Sequence, residues 1–132
     1  MVDYLCSIDA SVFVCDYDYN APNAEHLRNT HLPLYKAYRE AHPDTPIILI
    51  SGVNLSFSNH DKIERRQIVL DTYNYAVQNG DENVSFIDGH TMFGGREGNI
   101  FTVDGVHPND AGFFRMANII GRDVEVMLRR SK

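Results

Sequence analysis

Asp104 stands three residues before His107, and Pro108 follows the histidine, in the stretch FTVDGVHPNDAGFFRMA that runs from Phe101 to Ala117. A carboxylate that accepts one imidazole N–H fixes the tautomer and direction of the ring. It also stabilises the imidazolium that forms when the other ring nitrogen takes a proton. The pair therefore has the chemistry of two members of a Ser-His-Asp triad. Pro108 pushes the backbone of His107 out of the helical region, which frees the imidazole to point into a cleft. Gly105 between them supports a sharp turn. The same residues admit a plainer reading, in which Asp104 and Asn109 organise a loop and a helix cap and His107 is a surface side chain.

A triad needs a nucleophile, and the serines are poorly placed for that role. Ser7 and Ser11 lie before or at the start of a strand pattern, on the wrong edge of a sheet, and Ser51 lacks a strand-to-helix elbow and reads as a loop residue. No nucleophile is assigned within this chain. A metal set of Asp88, His90, Asp104 and His107 is conceivable from residue types. Their spacing matches no ligand pattern, so no metal site is assigned. His26, His31, His42 and His60 fall on helices or loop tips and carry no functional expectation.

Three apolar runs rich in β-branched residues supply the strands: SVFVCDY (11–17), PIILISG (46–52) and NVSFIDG (83–89). Each is continuous in its first part, as in strands buried on both faces. A helix is expected from about Asn23 to Ala41, with Leu27, Leu34, Tyr35 and Tyr38 on one stripe; Pro33 predicts a kink, or a start near Thr30. A second runs from about Asn59 to Gln78, facing inward with Ile63, Leu70, Tyr73 and Val77, and closes at Asn79-Gly80. A third follows Pro108, capped by Asn109, with Phe113, Ala117, Ile120, Val124 and Met127 inward. The alternation of strand and helix predicts an α/β fold, a parallel sheet flanked by helices in one domain over 1–132. The opening MVDYLCSIDA reads as the tail of an amphipathic helix (Leu5, Ile8) with no strand before it, the first sign of truncation at the N-terminus.

The polar residues gather at the carboxyl ends of these strands, in DYDYNAPN, SGVN and DGHTMFGG. That is where open α/β sheets bind ligands. The bulk numbers fit a globular protein: 132 residues, 43% hydrophobic and 23% charged. A net charge of −6 argues against nucleic acid as partner. The pairs Arg65-Arg66 and Arg129-Arg130 read as solvated helix surface. Cys6 and Cys15 make no disulfide framework and read as small core residues. No apolar segment reaches membrane-span length and no signal peptide is visible, so the location reads as cytoplasmic by default; if the natural N-terminus is missing, a signal would be missing with it, and a secreted parent stays open.

TVDGVHPNDAGFFRMA resembles the last block of the SGNH (GDSL-type) hydrolases, D-x-x-H followed by proline and a downstream glycine, here Gly112. VFVCDYDYNAP resembles the block of that family that supplies an oxyanion-hole asparagine at the end of a parallel strand. LYKAYREAHPDTPIILIS is similar to the helix, loop and strand that follow it in a bacterial esterase branch. The resemblance covers essentially the whole chain in the right order. It implies a three-layer αβα, flavodoxin-like fold and ester hydrolysis without a cofactor, with His107 as general base, Asp104 as its orienting acid and Asn20 as oxyanion donor. The block around Asn20 departs from the family's G-x-N-D, reading Asp18-Tyr19-Asn20-Ala21. The nucleophile block, and the block whose glycine N–H is a second oxyanion donor, have no counterpart and are expected upstream of Met1. The substrate implied is a small ester, with an acetylated carbohydrate following from the family branch. Lacking the serine, the chain alone is expected to be inactive. It is also expected to form a homo-oligomer, or to pair with an N-terminal segment, through the open edge beside SVFVCDY. The alternative is a non-catalytic α/β interaction module or a remnant of such an enzyme.

Overall fold

The computed structural model describes residues 1–53, 60–94 and 98–130. The three apolar runs form strands β1 (Phe13–Cys15), β2 (Ile47–Ile50) and β3 (Val84–Ile87). They pair in parallel in the order β1-β2-β3, with Val14 opposite Ile48 and Ile48 opposite Ser85. Helices α1 (Val2–Cys6), α2 (Ala24–Ala41), α3 (His60–Gln78), α4 (Gly89–Met92) and α5 (Asp110–Arg130) complete the fold, with short 3₁₀ turns at Asp18–Asn20 and Gly98–Phe101. This is the expected α/β architecture. The predicted start of the second helix at Asn59, and the strand-end residues Asn54 and Gly95, lie outside the described residues.

Side chains alternate across a strand, so the sheet has two apolar faces to cover. Phe13, Cys15, Ile47, Leu49 and Val84 pack against α2 and α3. Ile48, Ile50 and Ile87 pack on the other face against Met92 and Phe93 and the Met116, Ile120 and Met127 side of α5. The molecule is thus three layers, αβα. β2, central in the sheet, is buried at every position. β1 falls short of the expected burial: its outer edge has no partner strand among the described residues, and Val14 is 36% exposed.

Helix α2 begins where Asn23 accepts the N–H of His26 at 2.8 Å, an N-cap that satisfies one of the orphan donors of the first turn. It runs unbroken through Pro33, so the expected later start at Thr30 does not occur. It ends at Ala41, and His42 is held non-helical by the proline that follows. Gly80, at φ +81°, takes the left-handed conformation that closes α3. At this end of the sheet Arg39 donates to Asp81 and to the carbonyls of His42, Thr45 and Asn83, tying the starts of β2 and β3 to α2.

Two helix faces differ from the sequence reading. On α3 the buried stripe is Arg65, Ile68, Val69, Thr72 and Ala76, whereas Ile63 and Val77 are exposed and Leu70 and Tyr73 half-buried. The hydrophobic pattern misleads because two polar residues of the true stripe find partners inside. Thr72 Oγ1 lies 2.8 Å from His31 Nδ1, and Arg65 is 6% exposed, correcting its reading as solvated surface. Arg66 pairs with Asp88. On α5, Phe113 and Ala117 are exposed, and Gly112, Met116 and Met127 take the inward positions. Cys15 is a core residue whose thiol burial pushes up to about 12, while Cys6 is half-buried.

His31 is buried between α2 and α3, where desolvation lowers its imidazole from 6.5 to about 4. Between those values the unfolded chain binds a proton that the folded chain does not, so stability falls as pH drops through the window and is fully present above it. The expected outcome is that the stability advantage of wild type over His31→Gln, read from urea denaturation, shrinks by up to roughly 3 kcal/mol across that window. A difference that stays flat with pH overturns this account.

Candidate active site

Past the carboxyl end of β3 the chain makes a tight loop whose geometry Asp104 dictates. Its Oδ1 accepts the backbone N–H groups of Val106 at 2.9 Å and His107 at 2.8 Å, while Oδ2 lies 2.6 Å from His107 Nδ1. One short side chain thus folds the turn and orients the ring. Gly105, at φ +86°, makes the reversal, and an antiparallel bridge between Thr102 and Pro108 closes it. The backbone N–H of His107, its imidazole and the N–H of Val106 hold the Asp104 carboxyl well below the usual carboxylate range. With Nδ1 so engaged, Nε2 of His107 has no hydrogen-bond partner among the described residues.

Asn109 fixes the loop to α5. Its side chain accepts the N–H of Gly112 at 3.0 Å and donates to Ile100 O at 2.7 Å, so it caps the helix as expected. Gly112 faces the carbonyl of Phe101, and a Cβ there would lie 2.1 Å from that oxygen. The glycine after the D-x-x-H-P run therefore lets the helix start press directly on the loop backbone.

Asn20 enters from the other side, at the end of the 3₁₀ turn that follows β1. Its side chain is exposed and caps nothing among the described residues; Asn23 does the capping. Asn20, His107 and Asp16 line one cleft of about 430 Å³, whose apolar wall is Val53, Val106, Pro108, Phe113 and Met116. Asp16 is exposed but crowded by the cleft wall, and desolvation raises its carboxyl. Sequence reading passed over Asp16, though its place at the end of a parallel strand was the available signal.

The serines behave differently. Ser51 is fully buried and its Oγ accepts the N–H of Gly89 at 3.0 Å, joining the end of β2 to α4. It is a loop residue, as read, and also a structural clasp. Ser7 Oγ donates to Tyr4 O, and Ser85 Oγ donates to Asp123. None of the three borders the cleft. Ser56, Ser58 and Ser131 lie outside the described residues. Of the metal-type residues, Asp88 is engaged by Arg66 and caps α4 by accepting the N–H of His90. Among the described residues no three acidic, histidine or cysteine side chains converge, and no helix is long and apolar enough to cross a membrane.

The arrangement offers a base whose tautomer is fixed, an amide donor and an apolar wall around one cleft, the elements of acyl transfer. The sequence profile of the GDSL-like Lipase/Acylhydrolase family matches residues 1–125. A candidate GDSL-like lipase from Bacteroides ovatus superposes with a TM-score of 0.80 at 26% identity, covering 97% of this chain and 39% of that one. The salicylyl-acyltransferase SsfX3 of a tetracycline biosynthetic pathway superposes with a TM-score of 0.73 at 19% identity, over 96% of this chain and 40% of that one, a likeness of fold. The chain spans about two fifths of the length of these solved structures. A search among curated proteins finds no match.

The close approach at Gly112 gives a direct test of what holds His107 in place. Gly112→Ala is expected to lose about 1–3 kcal/mol in denaturant stability and to shift the His107 ring resonances in NMR spectra. Unchanged stability and unchanged ring resonances would show that the loop backbone yields freely.

Proposed function

The chain belongs to the GDSL-like lipase/acylhydrolase family, and on that premise we propose that it contributes the base, the orienting acid and an oxyanion donor to an ester-cleaving site. The observation that carries this is the 2.6 Å contact of His107 Nδ1 with Asp104, which leaves Nε2 open to the cleft shared with Asn20. In this reading Nε2 takes the proton of an attacking serine hydroxyl. Asp104 keeps the ring in the required tautomer and stabilises its charged form, and the Asn20 side-chain N–H donates to the oxyanion of the tetrahedral intermediate. The imidazolium then protonates the leaving alcohol. The same nitrogen later activates the water that releases the acid. A small ester is the proposed substrate, an acetylated carbohydrate by the family branch, with the apolar wall at Val53, Phe113 and Met116 beside the reacting centre.

The serine is proposed to come from outside the chain described here. Loss of a triad serine costs on the order of a million-fold in turnover, so the 132-residue chain by itself is expected to be inactive and not to react with a serine-directed phosphonate. Stoichiometric labelling of the pure chain would falsify this. In any preparation that cleaves an ester, His107→Ala is expected to lower kcat by roughly 10⁶-fold and Asp104→Asn by roughly 10⁴-fold, with KM little changed. The second reading, a non-catalytic module, is favoured by the lack of a serine among the described residues of the cleft wall. It is separated from the first by those two substitutions, which it expects to be silent.

The open edge of β1 is the proposed place of association. An apolar groove of about 430 Å³, lined by Met1, Val2, Leu5, Phe13 and Val14, runs along it and shares Asp16 and Asn20 with the cleft. An unpaired, apolar edge favours addition of a strand, from a second copy or from a separate segment. Sedimentation of the chain is expected to show an oligomer, or a complex with a second fragment, that Val14→Lys disperses. A monodisperse monomer with no second fragment by mass spectrometry removes this proposal.

A further inference from the structure

The turn that carries Asn20 is held by a buried cation from the neighbouring helix. Arg65 Nη1 donates to the carbonyl of Asp18 at 2.9 Å and to that of Ala21 at 3.1 Å, so a single nitrogen bridges the stretch that contains Tyr19 and Asn20. The Nε of the same guanidinium is fixed by Asp61 at 2.7 Å. From the sheet side, the Asp18 carboxylate accepts the N–H of Gly52 at 2.6 Å and stands 3.7 Å from Arg65. Tyr19 lies against Gly52, where a Cβ would come within 2.5 Å of its ring, and its hydroxyl donates to Val53 O at 2.7 Å. Every residue of the turn except Asn20 therefore has its side chain tied down. Asn20 alone presents an unengaged side chain, on the wall that also carries His107.

We propose that Arg65 is a positioning residue for Asn20: by bridging the carbonyls on either side of it, the guanidinium sets the turn so that the Asn20 amide faces the cleft of His107. This rests on the reading in which that amide is an oxyanion donor. Preorganisation matters for such a donor, because its contribution depends on being aimed before charge develops. A merely structural role predicts general destabilisation when Arg65 is changed. A positioning role predicts a loss of order localised at residues 19–21.

The test uses the full 132-residue chain, labelled with ¹⁵N, and compares Arg65→Gln with Arg39→Gln, which removes a half-buried arginine at the opposite end of the sheet. Arg65→Gln is expected to lower the backbone order parameters of Tyr19, Asn20 and Ala21 from about 0.85 to below about 0.6. Arg65→Lys, whose ammonium can still donate to two carbonyls, is expected to recover most of the order. Arg39→Gln should leave these three residues rigid. Should Arg65→Gln fail to fold, Asp61→Asn at the exposed partner carboxylate is expected to give a smaller loss of order at the same three residues. A rigid Asn20 in Arg65→Gln, an equal loosening in Arg39→Gln, or no change in Asp61→Asn overturns the proposal.

In an active assembly, Asn20→Ala is expected to lower kcat by about 10²-fold or more, and adding Arg65→Gln to it should bring little further loss. An Asn20→Ala variant with unchanged kcat removes the oxyanion reading. The order parameters decide the positioning of Asn20 whichever way that result falls.

Discussion

A positive charge buried between α3 and the turn after β1 is the constraint around which this molecule is arranged. Arg65 is 6% exposed, and an unpaired cation at that depth would be untenable. Its partners must converge on it: the Asp61 carboxylate one helical turn earlier, the backbone carbonyls of Asp18 and Ala21, and the Asp18 carboxylate. Breaking such a buried cluster by removing one member strands the others, typically at several kcal/mol. The rotation of α3 about its axis, the shape of the turn after β1 and the attachment of that turn to Gly52, past the end of β2, all follow from satisfying one guanidinium. Asp18 itself is raised by desolvation, an effect that the Gly52 N–H and Arg65 oppose.

The second half of the site rests on backbone contacts instead of charge. At Gly89 and Gly112 a helix start meets a carbonyl so closely that no side chain fits: a Cβ would lie 1.9 Å from Ser51 O and 2.1 Å from Phe101 O. Such approaches set the heights of α4 and α5 above the sheet without any adjustable side chain between. His107 therefore sits on a loop with few degrees of freedom even though the residue is largely exposed. His107 lines the cleft from its exposed side, and the half-exposed Asp104 stands behind it, outside the lining.

Much of this was legible in the residues. The three β-branched runs gave the parallel sheet, and the D-x-x-H-P spacing gave the turn in which Asp104 holds His107, because both depend on local chain geometry that a short stretch specifies. Asn23, Asn109 and Gly80 marked helix ends for the same reason. What stayed hidden were the buried polar residues. Hydrophobic periodicity ranks arginine and threonine as surface, so the inward stripe of α3 was placed on Ile63 and Val77 when Arg65 and Thr72 belong to it. Only the partners, distant in the chain, make their burial tolerable. Ser51 does lie in the loop just past β2, but its burial and its acceptor role towards Gly89 are likewise long-range and stayed hidden.

The order β1-β2-β3 has a kinetic side. Each strand pairs with the one made just before it, and the helix that carries the chain across is built from the residues between them. Loop closure at each step involves a few tens of residues, whose entropy grows only slowly with length. A chain emerging N-terminus first can therefore dock each strand as it appears, without waiting for a distant partner. Among the described strands β1 is made first, so its outer edge is exposed throughout the docking of β2 and β3.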